Sequence, residues 1–233
     1  MNVMITGAGK GIGKATAMLL AAQGYNLAIC SRTKKDLVEV QQQCEKQFPK
    51  VKVFDAVCDV TDESDVKRFC ADALKALGSI DVLVNNAGTY VGGQLINQTN
   101  EDFEFMMQTN LNSMIYFCKA IVPQMKNKPS SLVINIGSMA GITAYENGGA
   151  YSISKHAVHG FTMNLREELK KDKIKVTHIA PGAVRTSSWD GTNLPDSRFI
   201  PAADIASIIA NCISLAPQSC IEEIVVMPVE GKI

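Results

Sequence analysis

Short apolar runs rich in β-branched residues alternate along the chain with longer segments that carry apolar residues at helical spacing. This alternation is typical of βαβ units around a parallel sheet. The short runs predict seven strands, at Asn2–Thr6, Asn26–Cys30, Val51–Val57, Ile80–Val84, Ser131–Ile136, Ile174–Ala180 and Glu222–Met227. The longer segments predict helices at about 11–23, 33–47, 62–76, 99–125, 150–171 and 201–215. The pattern therefore predicts one α/β domain over residues 1–233, a doubly wound sheet of about seven parallel strands with helices on both faces.

One segment, residues 187–200, has neither strand nor helix periodicity. Irregular loops of this length in compact domains often cover a binding site, so we expect a substrate-binding loop. Trp189 and Phe199 lie in it. These side chains either close over an apolar or planar substrate or anchor the loop to the core.

The charge balance changes this picture by excluding some partners. Lys plus Arg number 23 and Asp plus Glu number 23, so no excess of positive charge favours nucleic acid or an anionic membrane. No apolar run approaches the roughly 18 residues of a membrane span. Seven Cys residues without a CxxC pair argue against a disulfide framework and a zinc site. With no secretory signal at the N-terminus, we expect reduced thiols, a cytoplasmic location, and neither a nucleic acid nor a membrane partner.

The first predicted strand leads into a glycine-rich turn, Thr6-Gly7-Ala8-Gly9-Lys10-Gly11-Ile12-Gly13, and then directly into a helix. Glycine permits positive φ and close approach of the backbone to a ligand, and the free N–H groups of the helix start favour a phosphate. The spacing is G-x-x-x-G-x-G rather than G-x-G-x-x-G, because Ile12 stands where the latter needs glycine. The turn predicts a dinucleotide site, with a tight βα connection that binds nothing as the alternative.

The end of the second predicted strand indicates which dinucleotide is bound. Sites for NAD usually place Asp or Glu here, whereas an Arg accommodates the extra phosphate of NADP. This chain has Cys30-Ser31-Arg32-Thr33, without an acid. Arg32 supplies a donor fork for a phosphate, Ser31 adds a hydroxyl, and Lys10 can approach from the turn. The segment favours NADP(H), unless Arg32 and Lys10 are merely solvated charges.

Polar side chains follow two further strands and begin a helix. Asn85-Asn86-Ala87-Gly88 and Gly137-Ser138 come at strand ends, where ligands bind in open α/β sheets. Tyr151 and Lys155 are four residues apart on a predicted helix and so share a face. A neighbouring ammonium favours phenolate, which would suit Tyr151 to general acid–base catalysis. The spacing alone is common, and a packing or surface pair is the alternative.

Six separated motifs follow one another along the chain: the glycine turn, Asn85-Asn86-Ala87-Gly88, Asn110, Ser138, Tyr151-x-x-x-Lys155 and Pro181-Gly182. With these motifs in this order, the chain closely resembles the short-chain dehydrogenase/reductase family. The resemblance covers nearly the whole chain. It implies a Rossmann-like fold, NADP(H) as cofactor, a small-molecule carbonyl or alcohol substrate, and a homodimer or homotetramer. It also implies an active site of Asn110, Ser138, Tyr151 and Lys155.

The resemblance implies a role for each of these residues. Tyr151 would donate a proton to the carbonyl oxygen while Ser138 stabilises the developing alkoxide. Lys155 would lower the pKa of Tyr151 and hold the nicotinamide ribose. Asn110 would fix a water that relays protons to Lys155, unless it is a polar helix residue that faces solvent.

The resemblance also implies a set of cofactor-binding residues. They are Gly7, Gly9, Lys10, Gly11, Ile12, Gly13, Ser31, Arg32, Asp59, Val60, Asn86, Ala87, Gly88, Tyr151, Lys155, Pro181, Gly182, Val184 and Thr186. Asp59 resembles the residue beside the adenine, although capping of the next helix by Asp59 or Thr61 is an alternative. Thr186 resembles the residue that binds the nicotinamide carboxamide.

These expectations favour an NADP(H)-dependent oxidoreductase that reduces a carbonyl to an alcohol, or catalyses the reverse. A 3-oxoacyl-[acyl-carrier-protein] reductase is the first alternative, although the tail from Glu222 to Val229 lacks the glycine-rich segment of many such enzymes. A non-catalytic NADP-binding regulator is the second. No metal site is expected, because His156 and His159 lack a third ligand at suitable spacing and His178 lies in an apolar strand.

Overall fold

A computed structural model describes residues 1–128 and 130–232 and places seven parallel strands in one sheet. The strands are β1 (Asn2–Thr6), β2 (Asn26–Ser31), β3 (Val53–Val57), β4 (Val82–Asn85), β5 (Leu132–Ile136), β6 (Lys175–Pro181) and β7 (Glu223–Val226). Their spatial order is β3-β2-β1-β4-β5-β6-β7. The chain winds outward from β1 in one direction and then from β4 in the other. This order leaves a crevice at the carboxyl ends of β1 and β4, where ligands bind in such sheets.

Helices cover both faces of the sheet, as the alternating pattern predicts. They are α1 (Gly11–Ala22), α2 (Lys34–Gln47), α3 (Glu63–Leu77), α4 (Asn100–Met107), α5 (Ser113–Met125), α6 (Gly149–Leu169) and α7 (Ala202–Ser214). One apolar cluster joins α1, α2 and α7 to the sheet, and a second joins α3, α5 and α6 to the other face. The predicted fold class is confirmed.

The second core cluster illustrates why these helices are held in place. The buried rings of Phe69 in α3 and Phe117 in α5 meet edge to face, with centroids 6.1 Å apart. Burying an aromatic side chain of this size stabilises the fold by about 2–3 kcal/mol relative to exposure. These two rings join α3 and α5 to each other as well as to the sheet.

The segment predicted as one helix at 99–125 is divided in the structure. Thr99 caps α4, because its hydroxyl accepts the N–H of Asp102 at 3.1 Å. Gln108–Asn112 then form a π-helical turn before α5 begins. A single inserted π turn leaves the apolar spacing nearly helical, so the pattern could not predict it. The predicted third strand is also shorter, since β3 begins at Val53 rather than Val51.

The cysteines are free, as their count and spacing predict. Six are buried, and Cys220 is exposed. Burial raises the pKa of Cys70 and of Cys118 to about 12, so these thiols stay protonated at neutral pH. Among the described residues, no helix has both the length and the apolar composition that crossing a membrane requires.

Candidate active site

The glycine turn after β1 is tied to the segment that follows β4. The Thr6 hydroxyl accepts the backbone N–H groups of Asn86 and Ala87 at 3.0 and 2.9 Å. The Asn86 side-chain amide donates to the carbonyl oxygens of Thr6 and Gly7 at 2.9 and 3.2 Å. These four hydrogen bonds fix the turn against the second polar segment. Asn86 therefore acts here as a brace between the two strand ends.

Close packing explains why the turn needs glycine. A Cβ at Gly13 would lie 2.4 Å from the Gly7 carbonyl oxygen and 2.7 Å from the Asn86 amide nitrogen. Gly7 itself has φ +66°, in the left-handed region that favours glycine. A Cβ at Gly11 would meet the Thr186 methyl group at 2.9 Å. The glycines thus let the β1 turn, the β4 end and the segment after β6 approach one another.

A cavity of about 630 Å³ opens above these strand ends. Fourteen of the residues named from the sequence line it: Gly7, Lys10, Gly11, Ile12, Asn86, Ala87, Gly88, Ser138, Tyr151, Lys155, Pro181, Gly182, Val184 and Thr186. Seven others, Gly9, Gly13, Ser31, Arg32, Asp59, Val60 and Asn110, lie outside that lining. The cavity therefore joins the glycine turn to the Ser, Tyr and Lys residues, whereas the end of β2 lies beyond it.

Tyr151 is placed in the first turn of α6, beside Ser138, which follows β5. The two side chains are within hydrogen-bonding reach of each other. Ser138 is oriented by its own helical turn, since its hydroxyl also accepts the N–H of Ala140 at 3.1 Å. Burial raises the pKa of the Tyr151 phenol, although the nearby Ser138 hydroxyl acts in the opposite direction. The surrounding protein atoms thus favour the protonated phenol, contrary to the lowered pKa that the resemblance implies.

Lys155 lies one helical turn after Tyr151, and its ammonium is 5.8 Å from the centroid of the phenol ring. Its Nζ donates to the Ile136 carbonyl oxygen at 3.0 Å. Only 5% of the residue is exposed, and this burial lowers the pKa of Lys155 to about 8. Lys155 therefore lowers the stability of the folded protein, since a buried ammonium is destabilising without a charged partner.

Asn110 occupies the middle of the π turn and is fully buried, so the solvent-facing alternative is wrong. Its side-chain oxygen accepts the Thr89 N–H at 2.8 Å. Its amide group donates to the Thr89 carbonyl at 3.1 Å and to the Ser154 hydroxyl at 2.9 Å. Asn110 thus braces the segment after Gly88 against α6. The proton relay through a water stays a prediction.

The end of β2 lies next to the glycine turn and is open to solvent. A Cβ at Gly9 would lie 3.1 Å from the Ser31 hydroxyl, which places that hydroxyl beside the turn. Arg32 is exposed and forms neither an ion pair nor a hydrogen bond within the described residues. Lys10 pairs with Asp36 at 3.4 Å and is 64% exposed. Arg32 is accordingly a cation at this edge without an acidic partner among the described residues.

Asp59 has a structural role that the sequence left open. Its carboxylate accepts the N–H and the hydroxyl of Thr61 at 3.0 and 2.7 Å. The cap of α3 is Asp62 instead, whose carboxylate accepts the N–H of Ser64 at 2.8 Å. Asp59 shapes the turn that leads into this helix, and Val60 beside it is buried. Contact of Asp59 with an adenine stays a prediction.

The irregular segment 187–200 folds back on the end of β6. The Ile200 N–H donates to the Ala183 carbonyl at 2.9 Å, and the Arg185 N–H donates to the Ile200 carbonyl at 2.9 Å. Phe199 is buried, so of the two roles considered for it, anchoring is the one observed. Trp189 packs on Phe199 with ring centroids 5.1 Å apart and also lines the cavity. The segment therefore presents one aromatic side chain to the cavity from a fixed base.

Two tyrosines in the cavity were not singled out from the sequence. Tyr90 follows β4, and Tyr145 lies before α6. The Tyr90 ring meets the Tyr151 ring at 88°, with centroids 5.0 Å apart. Both residues stand in loops without periodicity, where an aromatic residue gives no signal of its direction.

The histidines meet in a grouping that spacing did not reveal. His159 stacks on His178 with ring centroids 4.7 Å apart and planes inclined by 17°. Glu223 Oε1 lies 3.1 Å from His178 Nδ1 and 3.2 Å from His159 Nε2. The nitrogen lone pairs of two nearly parallel, stacked rings do not converge on one point, which disfavours joint coordination of a metal. Burial lowers the pKa of His178, and the group is better described as a hydrogen-bonded cluster around this buried imidazole.

Comparison with known proteins places this geometry in context. The family model described as short chain dehydrogenase matches residues 1–195. An uncharacterized oxidoreductase of Staphylococcus aureus is 31% identical over 226 residues, which cover 97% of this chain and 96% of that protein. A sepiapterin reductase of Chlorobaculum tepidum is 30% identical over 239 residues, covering 99% and 97%. An alcohol dehydrogenase from Thermococcus sibiricus, solved with 5-hydroxy-NADP, superimposes with a TM-score of 0.92 at 26% identity, covering 100% and 98%.

The packing of Gly13 predicts a large penalty for a single methyl group. Gly13→Ala should destabilise the fold by about 2 kcal/mol, because the new Cβ has to displace backbone and the Asn86 brace. Urea unfolding monitored by circular dichroism measures this change. Gly160→Ala is the matched control, since Gly160 lies in α6 with no atom within 4 Å of its Cβ position. That variant should be slightly stabilised by about 0.5–1 kcal/mol. Equal stability of the two variants would show that the turn tolerates a side chain.

Burial of Lys155 predicts a pH-dependent stability. Lysine in an unfolded chain has a pKa of about 10.4, whereas burial lowers the pKa of Lys155 to about 8. Between these values the unfolded state binds more protons, so stability should rise as the pH rises. Below about pH 8 both states are charged, and the folded state bears the full cost of burial.

Comparison of wild type with Lys155→Met isolates this effect, because titration of all other groups cancels. The unfolding free energy of wild type minus that of the variant should increase by about 2 kcal/mol between pH 7.5 and pH 10. Urea unfolding at each pH measures the difference. A constant difference would mean that Lys155 is not desolvated in the folded protein.

Proposed function

Since the chain belongs to the short chain dehydrogenase family, we propose that it reduces a small carbonyl compound to the alcohol with NADPH, or catalyses the reverse oxidation. The observation that carries the proposal is the shared cavity. The glycine turn, the Ser138 hydroxyl, the Tyr151 phenol and the Lys155 ammonium all open into it. A binding cleft for a dinucleotide and a proton donor for a carbonyl oxygen are thereby in one compartment.

The residues suit the NADP(H) that the proposal requires. The glycines leave room for a ligand to lie against the backbone at the start of α1, where free N–H groups favour a phosphate. Arg32 and Lys10 supply cations at the edge next to the turn, where an acid that would select NAD is missing from Cys30 to Thr33. When bound, NADPH would supply the hydride that reduces the carbonyl carbon.

The chain's own groups would manage the proton and the developing charge. Tyr151 would donate its phenolic proton to the carbonyl oxygen, a step that its raised pKa permits at neutral pH. The Ser138 hydroxyl would donate a hydrogen bond to the same oxygen as it gains charge. Lys155 would place a positive charge below the phenol as the proton leaves. Asn110 would hold Thr89, and with it the cavity wall after Gly88.

The two alternative functions differ in the substrate and the chemistry that the cavity would have to accommodate. A 3-oxoacyl-[acyl-carrier-protein] reductase uses the same catalytic set and is separated only by its substrate, a β-ketoacyl thioester. A non-catalytic regulator would retain the dinucleotide site without proton transfer. Burial of Lys155 supports an enzyme, because such a cost is common where a group does chemistry. The free thiols support a reducing compartment such as the cytoplasm, and a homodimer or homotetramer stays a prediction.

Removal of the phenolic hydroxyl tests the mechanism. Tyr151→Phe should lower kcat for carbonyl reduction by about 10²–10⁴-fold, because the variant lacks the phenolic proton that the proposed mechanism delivers to the carbonyl oxygen. NADPH oxidation against a panel of α-diketones, aldehydes, a pterin, simple ketones and a β-ketoacyl thioester measures this loss. Titration of NADPH fluorescence should show unchanged binding. A variant with normal turnover would overturn the assigned role of Tyr151.

Removal of Arg32 tests the choice of cofactor. Arg32→Ala should raise KM for NADPH about tenfold, because a hydrogen-bonded charge pair contributes roughly 1.5 kcal/mol or more. KM for NADH should stay the same, since NADH lacks the phosphate that Arg32 would bind. Lys35→Ala is the control, as Lys35 is a nearby exposed cation on α2. If Arg32→Ala and Lys35→Ala raised KM for NADPH equally, Arg32 would contribute only general electrostatic attraction and no specific contact with the phosphate.

A further inference from the structure

Two partly exposed aromatic side chains stand beside the phenol of Tyr151. Tyr90 is 52% exposed and Tyr145 is 41% exposed, and both line the cavity. Their phenol groups lie close enough that Tyr90 contributes to the raised pKa of Tyr145. Three of the five tyrosines in the chain therefore face this one space. An exposed aromatic pair at a cavity wall is stabilised when an apolar or planar group covers it.

The wall around this pair carries no charge. The lining residues that follow Gly88 and Ser138 are Thr89, Tyr90, Met139, Ala140, Thr143 and Tyr145. Trp189 joins them from the segment 187–200, held in place by Phe199. Within the described residues, the charged groups of the lining are Lys10, Lys155 and Lys232, and no carboxylate contributes. The wall beside Tyr151 thus offers ring faces and short uncharged side chains to a substrate.

The distances suit a ring attached to the reacting carbonyl. The centroids of Tyr90 and Tyr151 are 5.0 Å apart, and their planes are nearly perpendicular. A carbonyl oxygen that accepts the proton of Tyr151 lies within about 3 Å of the phenolic oxygen. A ring bonded to that carbonyl carbon shares the cavity with Tyr90 and Tyr145, and aromatic rings attract one another at centroid separations of roughly 4.5–7 Å. The edge-to-face contact with Tyr151 is the packing that holds the Tyr90 ring in this position.

We propose that Tyr90 is a specificity-determining residue, and that the substrate of this enzyme is an uncharged carbonyl compound with a planar ring next to the carbonyl group. Tyr90 supplies the ring contact, and Tyr145 adds a second ring to the same wall. This inference rests on the proposed function, since it names the substrate class of the same site. A residue that merely supported Tyr151 would affect all substrates equally, whereas a specificity residue affects ring compounds more.

Benzaldehyde and cyclohexanecarbaldehyde test the proposal, because they differ chiefly in the planarity and π-system of the ring. The readout is the ratio of their kcat/KM values with NADPH, measured for wild type, Tyr90→Leu and Tyr90→Phe. Differences in intrinsic reactivity between the aldehydes cancel when the ratios are compared. Tyr90→Leu should lower the preference for benzaldehyde about fivefold, the equivalent of one aromatic contact. Tyr90→Phe keeps the ring and should keep the preference. An unchanged ratio in Tyr90→Leu would overturn the proposal.

Calorimetry separates failure of this inference from failure of the proposed function. If no carbonyl in the panel is reduced, the proposed function is wrong. Each aldehyde can still be titrated into wild type saturated with NADP+, where no hydride is available. Tighter binding of benzaldehyde that is lost in Tyr90→Leu and kept in Tyr90→Phe would support the ring site on its own. Equal binding of both aldehydes to wild type would overturn it.

Discussion

The contact between the β1 turn and the end of β4 is the constraint on which the rest of the site depends. These strands are neighbours in the sheet, although most of the first half of the chain separates them in sequence. Asn86 and Thr6 join their ends through hydrogen bonds of 2.9–3.0 Å. The bonds form only because Gly13 lets the helix start approach within contact distance of Gly7. The glycine turn and the cavity wall that follows β4 therefore hold one fixed relation to each other.

In the buried pair of Tyr151 and Lys155, desolvation affects the two pKa values more than the attraction between the side chains does. Burial raises the pKa of Tyr151 and lowers that of Lys155, so the protein atoms favour a neutral phenol and weaken the hold of the lysine on its proton. A protonated phenol is the form that donates a proton, which suits reduction of a carbonyl. Oxidation of an alcohol needs the phenolate and hence added positive charge near the phenol. Burial of the Tyr151 phenol thus agrees with the acid role proposed for it.

Much of this arrangement could be predicted from the sequence, because its signals are local. Strand ends are marked by apolar runs, and Tyr151 and Lys155 share a face through helical spacing alone. The π turn around Asn110 leaves no such mark, since one inserted residue hardly changes the period. The grouping of His159, His178 and Glu223 depends on the pairing of β6 with β7, in which His178 lies opposite Glu223. Register between strands that are distant in sequence has no local signal.

The same distinction explains why cofactor and substrate differ in how well they can be inferred. The proposed dinucleotide site consists of backbone and of glycines whose identity is dictated by close packing, so it can be predicted from residue type and order. The proposed substrate wall is built from side chains on loops, where Tyr90 lies beside Tyr151 through one ring contact and beside Tyr145 through the proximity of their phenol groups. Neither interaction imposes a spacing on the chain. Substrate choice therefore depends on tertiary contacts, and it can be inferred only once the positions of the Tyr90 and Tyr145 rings around Tyr151 are known.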